Sequence, residues 1–393
     1  MEKIKSIYLH IPFCQKRCSY CDFNTFSGMN HLIPVYVEQL INEIKYYSNS
    51  SSEKQPINTI FFGGGTPSLL EISHYEEIFK ALNQDFLILP QSEISLEANP
   101  GTVTFEYLES LVSIGFNRIS FGLQTSNPYL LSLLGRIHNH QQSIQAIFLA
   151  KKAGFKNINL DLIYGLPGQT LDDWKKTLDD CISLDTQHFS LYALGIEEDT
   201  PLFEWVNKGM VENPDPDLAA EMYELADHIL MENGFECYEI SNYYKKDEKQ
   251  DWRCQHNLQY WRNGNYLGLG AGAHGYIGNI RYENVGSIHE YIQRMNQFSK
   301  KRTLESPVIK RSETVSDYVA MQEQMMVGLR LVSEGVSIKD FSERFSQSLL
   351  TVFKKELEYL LRNQLIDIQN NDKIRLTNKG RLLGNIVFRQ FVD

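Results

Sequence analysis

Three cysteines stand close together near the start of the chain, Cys14, Cys18 and Cys21, spaced Cys-x3-Cys-x2-Cys. Thiolates are soft ligands, suited to iron–sulfur clusters or to zinc. Structural zinc is normally closed by four ligands, usually as two separated pairs. Here no fourth cysteine follows nearby, since the others are Cys181, Cys237 and Cys254. A cubane cluster held by three thiolates leaves one iron uncovered, and that iron can take an amino and a carboxylate group from a ligand. Zinc, a four-cysteine cluster and a chance grouping are the alternatives. Cys181 and Cys237 read as ordinary buried thiols.

Other residue groups fit a ligand beside such a cluster. Gly63-Gly64-Gly65-Thr66-Pro67 lets backbone pass close to a ligand, because no Cβ intervenes. Exposed peptide groups there suit an amino or carboxylate end, although a tight turn alone would need the same glycines. Further along come Glu97, Gln124, Arg136 and Asp161. A carboxylate such as Glu97 accepts hydrogen bonds from ribose hydroxyls, and an arginine such as Arg136 clamps a carboxylate in bidentate fashion. Much later the chain reads His256-Asn257-Leu258-Gln259-Tyr260-Trp261. A neutral imidazole is a good axial ligand for haem iron, and Tyr260 and Trp261 offer flat faces to a macrocycle. In a helix, His256 and Tyr260 share a face at i, i+4. A hydrogen-bonded core histidine is the competing reading. Cys254 ranks below His256 as a haem ligand or thioether site. Gly268, Gly270 and Gly272, ahead of His274, do not follow a strand in a βαβ unit, so no dinucleotide site is read there.

These residues need elements to position them. Short β-rich runs fall at 6–11, 58–62, 93–97, 118–122, 157–164 and 188–193, each followed by a turn. Helical periodicity follows, as where Val37, Leu40, Ile41 and Ile44 share a face, and again near 75–82, 105–114, 141–153 and 171–184. Such βα units in series imply a parallel sheet with helices outside. The expected fold is α/β: a partial (β/α)6 barrel with ligands at the C-terminal strand ends. The candidate residues lie at or just beyond those ends. The pattern breaks at Asn213-Pro214-Asp215-Pro216, a strong helix spans 218–231, and a polar tyrosine-rich stretch follows at 243–251. From about Val308, amphipathic helices at 317–332, 337–345 and 349–362 lead to a hairpin at 365–376 and a final helix. That order resembles a winged helix. The expected division is a barrel over 1–212, an α/β extension over 213–307 and a winged-helix-like domain over 308–393.

Composition narrows the classes. The chain has 393 residues, 42% hydrophobic and 22% charged, as in an ordinary globular protein. Its 38 basic residues stand against 49 acidic, net −11, which argues against a nucleic-acid binder. The winged-helix pattern therefore reads as a packing or partner-binding element. The first apolar run is too short for a signal peptide and is broken by His10 and Pro12. No run approaches the roughly 20 apolar residues that span a bilayer, so a cytoplasmic protein, not an integral membrane one, is expected. In that reducing setting six cysteines point to metal or redox chemistry rather than disulfides.

The cysteine triad, with the glycine run after the second strand, resembles the radical S-adenosylmethionine (SAM) superfamily. The resemblance then narrows. YLHIPFC, YCDFNTF, FFGGGTPSLL, SLEANPGT, GFNRISFGLQT and LDLIYGLPGQT are similar to the oxygen-independent coproporphyrinogen III oxidase family over nearly the whole chain. This implies a [4Fe-4S] cluster on Cys14, Cys18 and Cys21, with S-adenosylmethionine at its open iron. It also implies cofactor contacts from Tyr8, Tyr20, Gly64, Gly65, Thr66, Glu97, Gln124, Arg136, Asp161 and Ala193. Two departures set the chain apart from true oxidases. Phe23 stands where they carry a further cysteine, and the cluster motif begins at Cys14 without their long preceding segment. YEISNY and HNLQYW instead resemble the haem-chaperone branch, in which the second motif is tied to haem binding through His256, Tyr260 and Trp261. The expected function is to bind haem and pass it to an acceptor haem protein, gated by the cluster and its cofactor. A homodimer is compatible with this. The alternatives are a radical enzyme that oxidatively decarboxylates coproporphyrinogen III, and a structural or DNA-binding protein with a zinc-like triad.

Overall fold

The computed structural model describes residues 4–47, 54–297 and 306–392. By contacts the chain forms two units. The first runs to Ile229 and adds Asn265–Glu313; the second joins Leu230–Gly264 to the stretch from Thr314 onward. Residues 213–307, read from the sequence as one extension, are thus shared between the two.

The first unit is built on six parallel strands: β1 (Ser6–Ile11), β2 (Gln55–Gly64), β3 (Phe86–Ala98), β4 (Arg118–Gln124), β5 (Asn157–Tyr164) and β6 (His188–Ala193). They pair in chain order, as right-handed βα repetition requires, giving the partial barrel. Their middles are buried on both faces, as parallel strands covered by helices should be. Tyr192 and Ala193 at the end of β6 are exposed, where the strand ends open. The connecting helices start and stop on local signals. Thr104 accepts from Tyr107 N to cap Phe105–Ile114, which ends at Gly115 with φ 120°. Asn139 forms a capping box before His140–Ala153, and Thr170 does so before Leu171–Ile182. Between the helices and the sheet, Phe62, Tyr75, Phe79 and Phe116 interlock with ring centroids 5.1 to 5.9 Å apart. Edge-to-face geometry of this kind adds to area burial.

Beyond β1 the sheet continues through strands that periodicity did not disclose. Tyr266–Leu269 pairs parallel to β1, and His274–Ile277 and Ile280–Asn284 follow as antiparallel strands. The glycine run here is structural. A Cβ on Gly268 would lie 1.7 Å from the His274 carbonyl oxygen, and Gly270 (φ 97°) passes 2.7 Å from the His10 carbonyl oxygen by the same measure. Buried Glu43, on the helix Ile33–Tyr47, secures this addition. Its carboxylate accepts from Gly270 N (2.7 Å), Asn284 Nδ2 (2.8 Å) and the Tyr291 hydroxyl (2.6 Å).

The second unit carries the hairpin Phe235–Glu239/Asn242–Lys245, the helix Gln255–Trp261 and a winged-helix-like domain. In that domain Asp317–Gly328, Ile338–Phe345 and Lys354–Arg362 pack with a small sheet, in which Lys373–Leu376 lies between Val336–Ser337 and Ile366–Gln369. The wing turns through Asn370 and Asn371, both at positive φ, which asparagine tolerates well. Phe341, Leu357, Leu360, Ile374 and Phe388 belong to its core. Among the described residues, no helix is long and apolar enough to cross a membrane.

Candidate functional site

The loop that carries the three cysteines leaves β1 and is closed on itself. Phe13–Cys14 pairs with Phe26–Ser27, and Phe26 N donates to the Pro12 carbonyl at 2.7 Å. Ser19 ties the middle of the loop to Leu134 O and Leu133 O. Asn24 ties its far end to Ala271 O (3.1 Å) and Gly286 O (3.0 Å), while its own carbonyl oxygen lies 2.9 Å from His10 Nε2. Gly272 makes room, since a Cβ there would sit 2.3 Å from Asn24 Nδ2. Residues remote in sequence therefore hold the loop in shape.

Cys14 is buried and Cys18 and Cys21 are partly exposed, and all three face one cavity of about 370 Å³. Among the described residues, no three His, Cys, Asp or Glu side chains converge to hold a single metal ion. Thiols spread around a cavity suit a multi-atom cluster better than one tetrahedral ion. Each sulfur has a polar partner: the Thr66 hydroxyl reaches Cys14 Sγ at 3.6 Å, Arg136 Nη1 reaches Cys18 Sγ at 3.3 Å, and Thr25 Oγ1 lies 3.8 Å from Cys21 Sγ.

The ends of the strands supply the rest. After β2, Gly65 N donates to Ile11 O (2.9 Å) and Thr66 N to Phe13 O (2.8 Å), laying the glycine turn against the cluster loop. A Cβ on Gly65 would stand 2.6 Å from the Phe13 carbonyl oxygen, and one on Gly64 (φ 113°) 2.5 Å from the His10 ring. Gly64 N donates to Glu97 Oε2 at 3.0 Å. Burial, then the charge of Asp161, pushes the Glu97 carboxyl up to about 7, against the pull of Gly64 N–H and Arg118. Asp161 is also raised by burial, although Ser120 and Asn159 donate to it at 2.7 and 2.8 Å. Gln124 sits at φ 69° where the β4–β5 register shifts. Such bulges re-aim a side chain beside a site. Its Oε1 is buried without a hydrogen-bond partner, as is Arg136 Nε, while Arg136 Nη2 donates to Gly122 O at 2.6 Å. Orphaned buried polar atoms around a cavity floored by thiols fit a polar, charged ligand next to a cluster.

Tyr20, Gly64, Gly65, Thr66, Glu97, Gln124, Arg136, Asp161 and Ala193 all line this cavity. Tyr8 does not. Its ring stacks on Phe61 and its hydroxyl lies 3.0 Å from His10 Nδ1, so it braces the floor. Asn99, Ser120, Tyr192 and Glu197 line the cavity too and were not anticipated. Ser120 could have been found, because it alternates with Gly122 on the inner face of β4. Phe23 stands at the cavity mouth, 65% exposed.

The second motif lies in the second unit. HNLQYW is helical, and His256 and Tyr260 share a face as i, i+4 spacing requires. The imidazole is not presented to solvent, however. His256 is 1% exposed, and its Nε2 lies 2.9 Å from the Tyr260 hydroxyl with the rings edge to face. Trp261 carries the Arg330 guanidinium 5.1 Å from its ring centroid, and its indole nitrogen is buried without a partner. Cys254 is fully buried at the start of this helix.

Residues 8–181 match the Radical SAM superfamily, and residues 315–383 match the HemN C-terminal domain. Heme chaperone HemW of Lactococcus lactis is 36% identical over 100% of this chain and 98% of that protein. Heme chaperone HemW of Bacillus subtilis is 37% identical over 99% of each. The chain belongs to the HemW family. A mouse relative, radical S-adenosyl methionine domain-containing protein 1, mitochondrial, is 33% identical over 92% of this chain and 81% of its own length. In fold, the family member matches coproporphyrinogen III oxidase (HemN) from Escherichia coli with a TM-score of 0.83, at 22% identity, over 99% of this chain and 90% of that one. Membership of the radical SAM superfamily implies a cluster and S-adenosylmethionine, and the cavity in the first unit has the residues to receive both.

Proposed function

We propose that this protein binds haem and delivers it to an acceptor haem protein, and that it carries a [4Fe-4S] cluster with exchangeable S-adenosylmethionine. The observation that carries the proposal is end-to-end kinship with heme chaperones in a chain that has the HNLQYW helix and a cavity lined by the three cysteines. Cys14, Cys18 and Cys21 would hold three corners of the cluster. A bound cluster would supply a binding site for the amino and carboxylate groups of S-adenosylmethionine and an electron for its sulfonium. The protein's part is to orient and to balance charge. Thr66 and Arg136 donate to the sulfurs that become thiolate, the glycine turn admits the methionine end, and Glu97 accepts from the ribose. Asp161 and Gln124 complete the polar lining.

Haem would be taken through His256, with Tyr260 and Trp261 beside the macrocycle. Because Nε2 is engaged with Tyr260, ligation through Nε2 requires that bond to open. The test is anaerobic reconstitution followed by haem titration of wild type beside His256→Ala. A haem band that depends on His256, together with iron and sulfide, supports the reading; equal uptake by the variant refutes the role of His256. Partition of the chain into a cytoplasmic homodimer belongs to the same proposal and is tested by cell fractionation and solution mass.

The complete cavity also suits a coproporphyrinogen III decarboxylase. Phe23 at its mouth, in place of the oxidase cysteine, weighs against that reading. Turnover of coproporphyrinogen III by the reduced, reconstituted protein would reverse the order.

A further inference from the structure

Arg118, the first residue of β4, is 2% exposed inside the partial barrel. Alternate residues on a strand point to the same side. Arg118 and Ser120 on β4, Asn159 and Asp161 on β5, and His188 and Ser190 on β6 therefore form one inward-facing polar group. Contacts link it. Arg118 Nη2 lies 3.4 Å from His188 Nδ1, and that nitrogen lies 2.5 Å from Asn159 Oδ1. Asn159 Nδ2 donates to Asp161 Oδ1 (2.8 Å) and to Ser120 Oγ (2.6 Å), and Ser120 Oγ donates to Asp161 Oδ2 (2.7 Å). The Ser190 hydroxyl closes the group on Asn159 Oδ1 at 3.1 Å.

Glu97 and Asp161 are the buried carboxylates of this region. Neighbouring them are the Tyr8 hydroxyl on β1, Gly64 N–H after β2, Arg118 and Ser120 on β4, His188 and Ser190 on β6, and Arg136 and Tyr20 from the loops. His188 is held well below its ordinary pKa by burial and by Arg118, so it stays neutral. Arg136 is directed to Cys18 Sγ and Gly122 O. Glu97 pairs in register with Ser120, the next inward residue of β4 after Arg118, and Arg118 opposes the raised pKa of both Glu97 and Asp161, while Arg136 also faces Asp161.

We infer that Arg118 is a positioning residue for cofactor binding, whose fixed charge keeps Glu97 and Asp161 available as carboxylates for the ribose hydroxyls and sulfonium of S-adenosylmethionine. This rests on reading the cavity as the S-adenosylmethionine site. The sign follows from burial. A carboxylate accepts from ribose hydroxyls and attracts a cation only when ionised, so affinity is present above the carboxyl pKa and lost below it. Removing a nearby buried cation moves that pKa, and the binding profile with it, upward. A purely structural arginine would instead lower affinity by one factor at every pH.

The experiment uses the full chain, reconstituted anaerobically, with S-adenosylmethionine as probe. Affinity is measured by calorimetry from pH 6 to pH 9, and iron and sulfide are assayed in each sample. Arg118→Met should bind roughly fivefold more weakly at pH 7 and recover at higher pH, a profile displaced by about one unit. Arg118→Lys keeps the charge and should stay within about threefold of wild type with an undisplaced profile. It decides the matter alone if the Met variant does not fold. An unshifted Met profile, or a pH-independent loss in either folded variant, overturns the inference. Wild-type protein that holds a cluster but binds no S-adenosylmethionine removes the cofactor reading, and this inference with it.

Discussion

Replacing Tyr260 by Phe should make haem bind more tightly, not less. The tyrosine hydroxyl lies 2.9 Å from His256 Nε2, and the imidazole is 1% exposed. Haem iron needs a lone pair on an imidazole nitrogen, so binding through Nε2 must first break this contact. A typical buried hydrogen bond is worth about 0.5–1.5 kcal/mol net. Removing that competition should raise haem affinity roughly two- to tenfold, because each 1.4 kcal/mol is about a factor of ten. The same deletion removes a buried hydrogen bond, so stability should fall by about 0.5–1.5 kcal/mol. The assay is a haem titration followed by absorbance on wild type, Tyr260→Phe and His256→Ala, with denaturant unfolding in parallel. Equal or weaker haem binding by Tyr260→Phe, while His256→Ala still loses it, would refute the competition argument and make Tyr260 a contributor to the haem site.

Gly65→Ala should lower the iron and S-adenosylmethionine content of reconstituted protein severalfold, because its Cβ would meet the Phe13 carbonyl oxygen at 2.6 Å, and backbone cannot swing aside. Unchanged iron content and affinity would contradict the close-approach argument. Phe116→Ala, in the ring cluster with Phe62 and Tyr75, should cost about 3–5 kcal/mol in denaturant unfolding. Burial pushes Glu43 up from 4.5 to about 7, so the folded protein binds the extra proton and the Glu43 contribution to stability falls as pH rises through that window. Glu43→Gln removes this titration. Its stability deficit against wild type should therefore narrow by on the order of 1 kcal/mol per pH unit between about 4.5 and about 7, read from unfolding curves across that range. A deficit independent of pH would show that Glu43 does not titrate there.

Much of the first unit was legible from pattern. β1, β5 and β6 fall where their β-rich runs predicted, because apolar residues such as Ile158, Leu160 and Leu162 on β5 and Phe189 and Leu191 on β6 alternate with the polar inward positions. β2 and β3 begin earlier than expected, at Gln55 and Phe86. Their first halves include Pro56, Pro90 and Gln91, which blur the signal at the partly exposed end. The strands at Tyr266–Leu269 and Ile280–Asn284 were missed because their glycines and tyrosines answer to local crowding and to Glu43, not to a periodic face. The helix expected over 171–184 stops at Ile182, and that expected over 349–362 breaks at Phe353. Helix ends depend on caps more than on periodicity.

The sequence by itself determined which side chains are suited to ligation and the order of the barrel strands. The spacing of Cys14, Cys18 and Cys21, the glycine turn and the serial βα units are local features, set by covalent distance and by period. Tertiary structure alone decided what each residue faces. It gathered Glu97, Gln124, Arg136 and Asp161 around the thiols from separate strands and loops. It set Tyr8 aside as a brace, engaged His256 with Tyr260, and placed Arg118 among carboxylates. The reason is that burial and charge–charge energies depend on distances between strands far apart in sequence, and no local pattern encodes those distances.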